Sequence, residues 1–174
     1  MPEPRACPRR LRICAGAGLA LVLLLAPAVF QPALRLVWNA SASSPVGLYA
    51  VSPTGGLRRG GMALAWPPPA ARALGAQRGY LPGNVPLVKR VAAVAGDRVC
   101  ARGAAILVEG RRVAGRLRAD PAGRAMPWWS GCARLRPGEA LLLSPGVPLA
   151  FDGRYFGPSR AAQVLGRASL LWPR

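Results

Sequence analysis

The stretch NVPLVKRVAAVAGDRV, residues 84–99, combines an apolar run with a single amine. Residues 86–94 within it have the length and composition of a β-strand. Lys89 is the only lysine in a chain whose lysines and arginines together number 24. With the period of two of a strand, Leu87, Lys89 and Val91 lie on one face. The pattern therefore predicts an amine with apolar neighbours before and after it on its own side of a sheet.

An amine in such a place has a chemistry that arginine lacks. Burial disfavours the charged form of lysine and can lower its pKa by several units, which leaves a neutral amine able to accept a proton near neutral pH. A guanidinium stays charged throughout the relevant range of pH. Lys89 is therefore a candidate general base. The alternative is a surface lysine whose stem lies along apolar residues while its ammonium stays in water.

Composition excludes several classes of enzyme. The chain of 174 residues has no histidine, so a Ser-His-Asp triad, a Cys-His pair and most catalytic zinc sites are excluded. Its scattered carboxylates argue against a calcium cage and against a two-carboxylate glycosidase site. We expect no metal and no cofactor. The carboxylates are Glu3, Asp97, Glu109, Asp120, Glu139 and Asp152.

The net charge of +18 would ordinarily indicate attraction to nucleic acid or to an anionic membrane. The arginines, however, are spread along the chain, with Arg58-Arg59 and Arg111-Arg112 as pairs rather than runs. This spread favours a general compositional bias over a binding surface, so we expect no specific binding of nucleic acid.

Short apolar runs separated by glycine and proline predict one mostly β domain. Glycine and proline together number 40. Glu109-Gly110 has the composition of a hairpin turn, and residues 70–77 predict a short helix. The predicted strands lie within residues 46–51, 62–66, 86–94, 105–113, 139–143 and 163–172.

The N-terminal region predicts a membrane segment. Residues 13–30 carry no charge, and the stretch extends to residue 34, which is about the length that crosses a bilayer. Four arginines precede it, so the positive-inside rule keeps residues 1–12 as a cytoplasmic basic tail and exports residues 36–174 as a β-rich domain. Alternatively, the APA sequence at 26–28 marks a cleavable signal peptide, and in both cases the main body is exported.

Export sets the expected state of the cysteines. Cys7 and Cys14 fall in the tail and in the membrane segment, whereas Cys100 and Cys132 belong to the exported part, where oxidation is favoured. We predict a disulfide between Cys100 and Cys132. The alternative is a pair of buried free thiols.

Without histidine, the natural partner of a lysine base is a serine. The stretch NASASSPVGLY, residues 39–49, places three serines within four positions, next to Pro45 and Gly47. Proline restricts the backbone and glycine frees it, as a loop that presents a hydroxyl requires. The alternative is a solvated linker beside the membrane.

Three stretches resemble the TraF-type conjugative transfer peptidases, a branch of the signal peptidase I superfamily of membrane-bound Ser-Lys proteases. NASASSPVGLY is similar to the family's Asn-x-Ser/Thr-x-Ser-x-Pro-x-Gly-Leu-Tyr box, which would make Ser43 the nucleophile. KRVAAVAGD, beginning at Lys89, resembles the segment that carries the lysine base. FDGRYFGP at 151–158, followed by LGRA at 165–168, resembles the Asp-Ser-Arg-Tyr-Phe-Gly-Pro box.

The resemblance implies a signal-peptidase-like β domain and a mechanism. The neutral Lys89 would take the hydroxyl proton as Ser43 attacks a peptide carbonyl, and the Ser43 N–H with the Ser41 hydroxyl would stabilise the oxyanion. Asp152 and Arg154 would form a supporting ion pair from one face of an extended segment.

The chain departs from the family at two positions. Ala150 stands where the family often has a serine that orients the lysine, and Gly153 stands between Asp152 and Arg154 where the family has a serine. A backbone carbonyl, a water molecule or Ser144 could hold Lys89 instead.

The expected function is that of a membrane-anchored serine endopeptidase on the periplasmic side of the bacterial cytoplasmic membrane. Its expected partners are membrane lipid and an exported protein precursor, with the resemblance indicating a conjugative pilin that is hydrolysed or cyclised. One alternative is a general signal peptidase that removes export signals. Another is a non-enzymatic basic envelope protein of a DNA-transfer apparatus.

Overall fold

The computed structural model describes residues 8–29, 34–53 and 56–174. The chain divides into two units, residues 1–33 and residues 34–174. The first contains helix α1, Pro8–Val29. Within the described part of the chain, no helix has the length and hydropathy that a bilayer span requires. The predicted tail and membrane segment extend outside the described residues at 1–7, which include Cys7, and at 30–33.

The second unit is mostly β, as predicted. Its two remaining helices are α2, Pro69–Gln77, and α3, Gly153–Phe156, and a 3₁₀ turn covers Ala161–Gln163. The strands are β1 Leu36–Asn39, β2 Gly47–Ser52, β3 Met62–Ala65, β4 Leu87–Ala93, β5 Arg98–Arg102, β6 Ala105–Val108, β7 Arg111–Gly115, β8 Gly131–Arg134, β9 Leu141–Leu143 and β10 Val164–Pro173.

These strands form two antiparallel sheets. The larger has the order β1-β2-β10-β3-β4-β9, and the smaller has the order β7-β6-β5-β8. Strand β4 therefore lies inside the larger sheet, between β3 and β9. A central strand is covered by neighbours along both edges, which removes its backbone groups from water and gives its side chains fixed directions.

The predicted strands and helix are confirmed, with the run 105–113 divided at the expected turn. Glu109 and Gly110 both have positive φ, 49° and 76°, as a two-residue hairpin turn that matches the twist of its strands requires. Strands β1, β5 and β8 were not predicted from the sequence. Strand β8 is exposed at each of its four residues, so no apolar alternation marks it.

The predicted disulfide is present and joins neighbouring strands. Cys100 of β5 and Cys132 of β8 lie directly opposite each other in the smaller sheet, with a sequence separation of 32. The alternative of two free thiols is therefore wrong. Strand β8 buries little apolar surface against β5, so packing contributes little to holding it there. The disulfide therefore stabilises the position of β8.

Replacement of Cys132 by serine should lower the free energy of unfolding of the full-length protein by about 3 to 4 kcal/mol, the chain-entropy value for a loop of this length. Chemical denaturation under oxidising conditions measures the loss. Cys14→Ser in α1 is the matched control and should leave the unfolding of the β unit unchanged. An unaltered midpoint for Cys132→Ser would show that strand pairing alone holds β8.

Candidate active site

The loop that carries Ser43 is held by the amide of Asn39. The Asn39 side-chain nitrogen lies 3.0 Å from the carbonyl oxygen of Ser41, 3.2 Å from that of Ser44 and 2.9 Å from that of Pro45. Its amide oxygen accepts a hydrogen bond from the Ser41 N–H at 3.2 Å. A single buried side chain at the end of β1 thus organises the loop backbone, so the loop is a fixed structure rather than a solvated linker.

Two further hydrogen bonds attach this loop to the sheet. The buried hydroxyl of Ser44 donates to the carbonyl of Val88 at 2.7 Å, and the Tyr49 hydroxyl donates to the carbonyl of Pro45 at 2.8 Å. Val88 precedes Lys89 on β4, so the first of these bonds fixes the loop directly beside the lysine. The distance between Ser43 and Lys89 is therefore set by backbone attachments.

Lys89 is buried, with 3% of its surface exposed. It lies opposite Ala63 of β3, and Val91 follows on the same face within an apolar cluster that includes Leu142. The predicted apolar environment is confirmed, and the alternative of a surface lysine is wrong.

The Lys89 nitrogen donates a hydrogen bond to the Ser43 hydroxyl oxygen at 2.5 Å. Burial lowers the pKa of Lys89 to about 8; the carboxylate of Asp152 opposes this shift by raising the pKa, and the guanidinium of Arg154 lowers it. A substantial fraction of the amine is therefore neutral near physiological pH. In that state its lone pair can take the proton of the hydroxyl it already contacts.

Ser41 completes a short chain of hydroxyls. Its oxygen lies 2.7 Å from that of Ser43 and accepts a long hydrogen bond, 3.3 Å, from the Ser43 N–H. The two predicted oxyanion donors, that N–H and the Ser41 hydroxyl, thus lie next to each other and are engaged with each other. The length of the N–H bond makes it weak, so an incoming negative oxygen can compete for both donors.

Asp152 and Arg154 form the predicted ion pair, with the two side chains 0% and 3% exposed. The guanidinium donates to both carboxylate oxygens, at 2.9 and 3.1 Å, and to the carbonyl of Ser144 at 2.8 Å. The Ser144 N–H donates to the carboxylate at 2.7 Å. A buried ion pair persists when each partner is hydrogen-bonded in this way.

The prediction that these two residues lie on one face of an extended segment is wrong. Gly153–Phe156 is the short helix α3, and the Asp152 carboxylate caps it by accepting the Arg154 N–H at 3.0 Å. The cap turns the chain, so the arginine folds back onto the same carboxylate.

The packing of α3 explains Gly153. A Cβ atom at this position would lie 2.8 Å from the carbonyl oxygen of Leu142 and 3.0 Å from the side chain of Leu141. Strand β9 therefore approaches the backbone of α3 closely. Glycine at this position therefore accommodates the close approach without a clash.

A groove of about 920 Å³ runs beside Ser43 and Lys89. Its walls come from four stretches of chain, residues 37–43, 80–89, 117–126 and 147–155. Most of the wall is apolar, contributed by side chains such as Leu81, Val85 and Leu117. The volume and the apolar lining suit an apolar segment of a substrate placed next to Ser43.

The sequence analysis missed a polar cluster in the groove wall. The Tyr80 hydroxyl donates to Asp120, and Arg124 donates to the same carboxylate at 2.7 Å. The hydrogen bond from the Tyr80 hydroxyl is the main cause that holds the pKa of Asp120 well below its usual range. The contacts from Arg124 to the same carboxylate lower this pKa further. Asp120-Pro121 is a turn signal that could have located this hairpin, but its place in the groove depends on contacts distant in sequence.

A family profile described as signal peptidase, peptidase S26, matches residues 10–172. A plasmid transfer protein TraF from Escherichia coli is 34% identical over 172 residues, which cover 92% of this chain and 94% of that protein. A second E. coli protein of the same name is 36% identical over 170 residues, with 88% and 91% covered. The resemblance stated from the sequence motifs is confirmed.

Two further comparisons extend this set. A probable conjugal transfer protein TraF from Sinorhizobium fredii is 35% identical over 140 residues, which cover 75% of this chain and 73% of that protein. Among solved structures, a signal peptidase I from Enterococcus faecalis V583 has a TM-score of 0.36 and 18% identity, and the match covers 67% of this chain and 97% of that one.

Lys89 should titrate near pH 8 rather than near its ordinary value of 10.5. Lysine labelled with ¹³C and ¹⁵N gives one side-chain signal in this chain, so its titration by NMR is unambiguous. The unfolded chain holds the proton more tightly, so the free energy of unfolding should rise with pH between about 8 and 10.5. A titration near 10.5 in the folded protein would show that the amine is solvated.

Gly153→Ser should destabilise the protein by about 1 to 3 kcal/mol, because the added Cβ meets the Leu142 carbonyl at 2.8 Å. Thermal unfolding measures the loss. Gly110→Ser is not a suitable control because its φ is positive, whereas Gly83→Ser has a negative φ and ordinary contacts and should have little effect. Equal stability of the two variants would contradict the close approach of β9 to α3.

Proposed function

Since the chain belongs to the signal peptidase family, peptidase S26, and is a serine peptidase of that type, we propose that Ser43 is its nucleophile and Lys89 its general base. The observation that carries the proposal is the hydrogen bond between the Lys89 nitrogen and the Ser43 hydroxyl. It joins an amine whose pKa burial lowers to about 8 to a hydroxyl at the edge of an apolar groove.

Catalysis begins when Ser43 attacks the carbonyl of a peptide bond in the groove. Lys89 takes the hydroxyl proton, and the carbonyl oxygen, now negative, accepts hydrogen bonds from the Ser43 N–H and the Ser41 hydroxyl. Lys89 then returns the proton to the leaving amine as the acyl-enzyme forms. Loss of one oxyanion donor typically slows such a reaction by roughly 10²- to 10³-fold.

The acyl-enzyme ends by attack of a second nucleophile, with Lys89 again as the base. Water gives hydrolysis, whereas the N-terminal amine of the same substrate gives a cyclic product with one water fewer. The relatives from E. coli are named plasmid transfer proteins. We therefore take an exported conjugative pilin precursor as the substrate, processed by one of these two routes.

The site lies on the periplasmic side of the bacterial cytoplasmic membrane in this proposal, and a single N-terminal segment anchors it. Residues 13–30 are uncharged and follow four arginines, which supports a cytoplasmic N-terminus. Membrane lipid is then a partner through this anchor, and the substrate reaches Ser43 from the exported side.

A general signal peptidase is the second candidate, favoured by the description of the family itself. It would process many exported precursors, whereas a dedicated transfer peptidase would process one. The non-enzymatic envelope protein is disfavoured, because an envelope protein without catalytic activity has no need of a buried amine that contacts a hydroxyl.

Ser43→Ala and Lys89→Arg should each reduce cleavage of a pilin precursor by at least about 10³-fold, because one lacks the nucleophile and the other has a side chain that stays protonated. Membranes that carry each variant are incubated with the precursor, and the product mass is measured. A mass one water below that of the linear fragment identifies cyclisation.

The exposed serine Ser169 provides the matched control, and Ser169→Ala should cleave at the wild-type rate. Equal cleavage by wild type and Lys89→Arg would refute the assignment of the base. A panel of other exported precursors distinguishes the two candidates, since cleavage of most of them indicates a general signal peptidase.

A further inference from the structure

Ser144 directly follows strand β9, one residue beyond the last pair of that strand with β4. In the pairing of β4 with β9, Arg90 lies opposite Leu143 and Val91 opposite Leu142. Carried one residue beyond the end of β9, the same register sets Ser144 opposite Lys89. Side chains directly opposite each other in an antiparallel pair share a face of the sheet, with Cβ atoms roughly 4.5 to 5.5 Å apart.

The Ser144 hydroxyl is a buried polar group without a partner. The residue is 1% exposed, and its hydroxyl oxygen is the one buried side-chain oxygen or nitrogen in the described residues that makes no hydrogen bond. Buried polar groups nearly always have a hydrogen-bond partner. A partner that binds the Ser144 hydroxyl only at another step of the reaction would explain why it is unpaired here.

Both charged groups that act on Lys89 also hold the backbone of Ser144. Asp152 accepts the Ser144 N–H at 2.7 Å, and Arg154 donates to the Ser144 carbonyl at 2.8 Å. The same carboxylate and guanidinium shift the pKa of Lys89 in opposite directions. Ser144 is thus fixed within the electrostatic surroundings of the amine.

A second, smaller cavity connects Ser144 with the nucleophile. Its volume is about 180 Å³, and its lining includes both Ser43 and Ser144. The lysine contacts Ser43 from the groove. Ser43 therefore lies where the two spaces meet, with Lys89 on the groove side.

Once Lys89 has taken the proton, its nitrogen needs additional hydrogen-bond acceptors. An ammonium has three N–H donors, and the Ser43 oxygen accepts one. Ala150, which lines the groove with Lys89, has no oxygen on its side chain. A buried ammonium with unpaired donors is costly, so a second acceptor would both stabilise it and fix its direction.

We propose that Ser144 is a positioning residue for Lys89, and that its hydroxyl accepts a hydrogen bond from the side-chain nitrogen and aims it at Ser43. The inference deepens the proposed function and rests on it. In the structure the nitrogen donates to Ser43, and Ser144 is engaged as the proton arrives. No covalent bond forms at Ser144, and the proton that Lys89 takes from Ser43 passes to the leaving amine without reaching Ser144.

The first test is the NMR titration of Lys89, which needs no substrate and is therefore independent of the proposed activity. In Ser144→Ala the ammonium loses an acceptor, so the pKa of Lys89 should fall by about half a unit or more. Ser159→Ala is the matched control, since Ser159 is also a buried serine but lines neither cavity. An unshifted titration in Ser144→Ala would overturn the proposal.

Thermal unfolding separates positioning from a structural role. Above the pKa of Lys89 the amine is neutral and the Ser144 hydroxyl makes no hydrogen bond, so at such a pH Ser144→Ala should unfold at the wild-type temperature or above it. Precursor cleavage should nevertheless slow by about tenfold or more at every pH, with KM unchanged, because a poorly aimed base is slow even when it is neutral. Loss of stability at a pH where Lys89 is neutral, in parallel with loss of activity, would indicate a structural role and refute the proposal.

Variants that restore a hydroxyl near Lys89 provide the last test. Ala150→Ser in the Ser144→Ala background adds a hydroxyl to the wall of the groove that Lys89 also lines, and it should restore both the pKa and part of the rate. Ser144→Thr keeps a hydroxyl at the original position and should titrate like the wild type. If Lys89 titrates as expected in every variant but no precursor is cleaved by the wild type, the proposed function fails while the contact between Ser144 and Lys89 stands.

Discussion

The burial of one amine in an apolar sheet face is the constraint on which the rest of the site depends. Lys89 can act as a base only if its charged form is disfavoured, and burial between β3 and β9 achieves this. The same burial limits the access of water to the nitrogen. The fold must therefore place the polar groups that contact the amine.

The ion pair of Asp152 and Arg154 acts on the pKa of Lys89 in two opposite directions. A lone carboxylate near Lys89 would favour the ammonium and raise the pKa, but the paired guanidinium opposes it. The pair is satisfied by the capped turn of α3 and by the backbone of Ser144. It contributes a nearly neutral polar surface, which leaves burial as the dominant influence on the lysine.

Ser43, the proposed nucleophile, is placed by a different means. Asn39 binds the loop carbonyls and Ser44 attaches the loop to the strand that carries Lys89. These bonds involve the backbone, so the position of Ser43 tolerates change in the exposed residues around it. The positions of the groove residues need less precision than those of Ser43 and Lys89. An apolar wall binds a peptide through the area that it buries, whereas a proton transfer depends on distances of a few tenths of an ångström.

The sequence by itself determined the mostly β class, the short helix, the lysine strand, the serine loop and the cysteine pair. The strand follows from the period of two in residues 86–94, and the loop follows from its Pro and Gly. The cysteine pair follows from the expectation that the part of the chain with Cys100 and Cys132 is exported. Only the tertiary structure decided strands β1, β5 and β8, the helical turn at Gly153, the groove wall around Asp120 and the contacts of the buried Ser144 with Asp152 and Arg154. Each of these depends on pairing or packing between segments far apart in the chain, and local periodicity carries no information about such contacts.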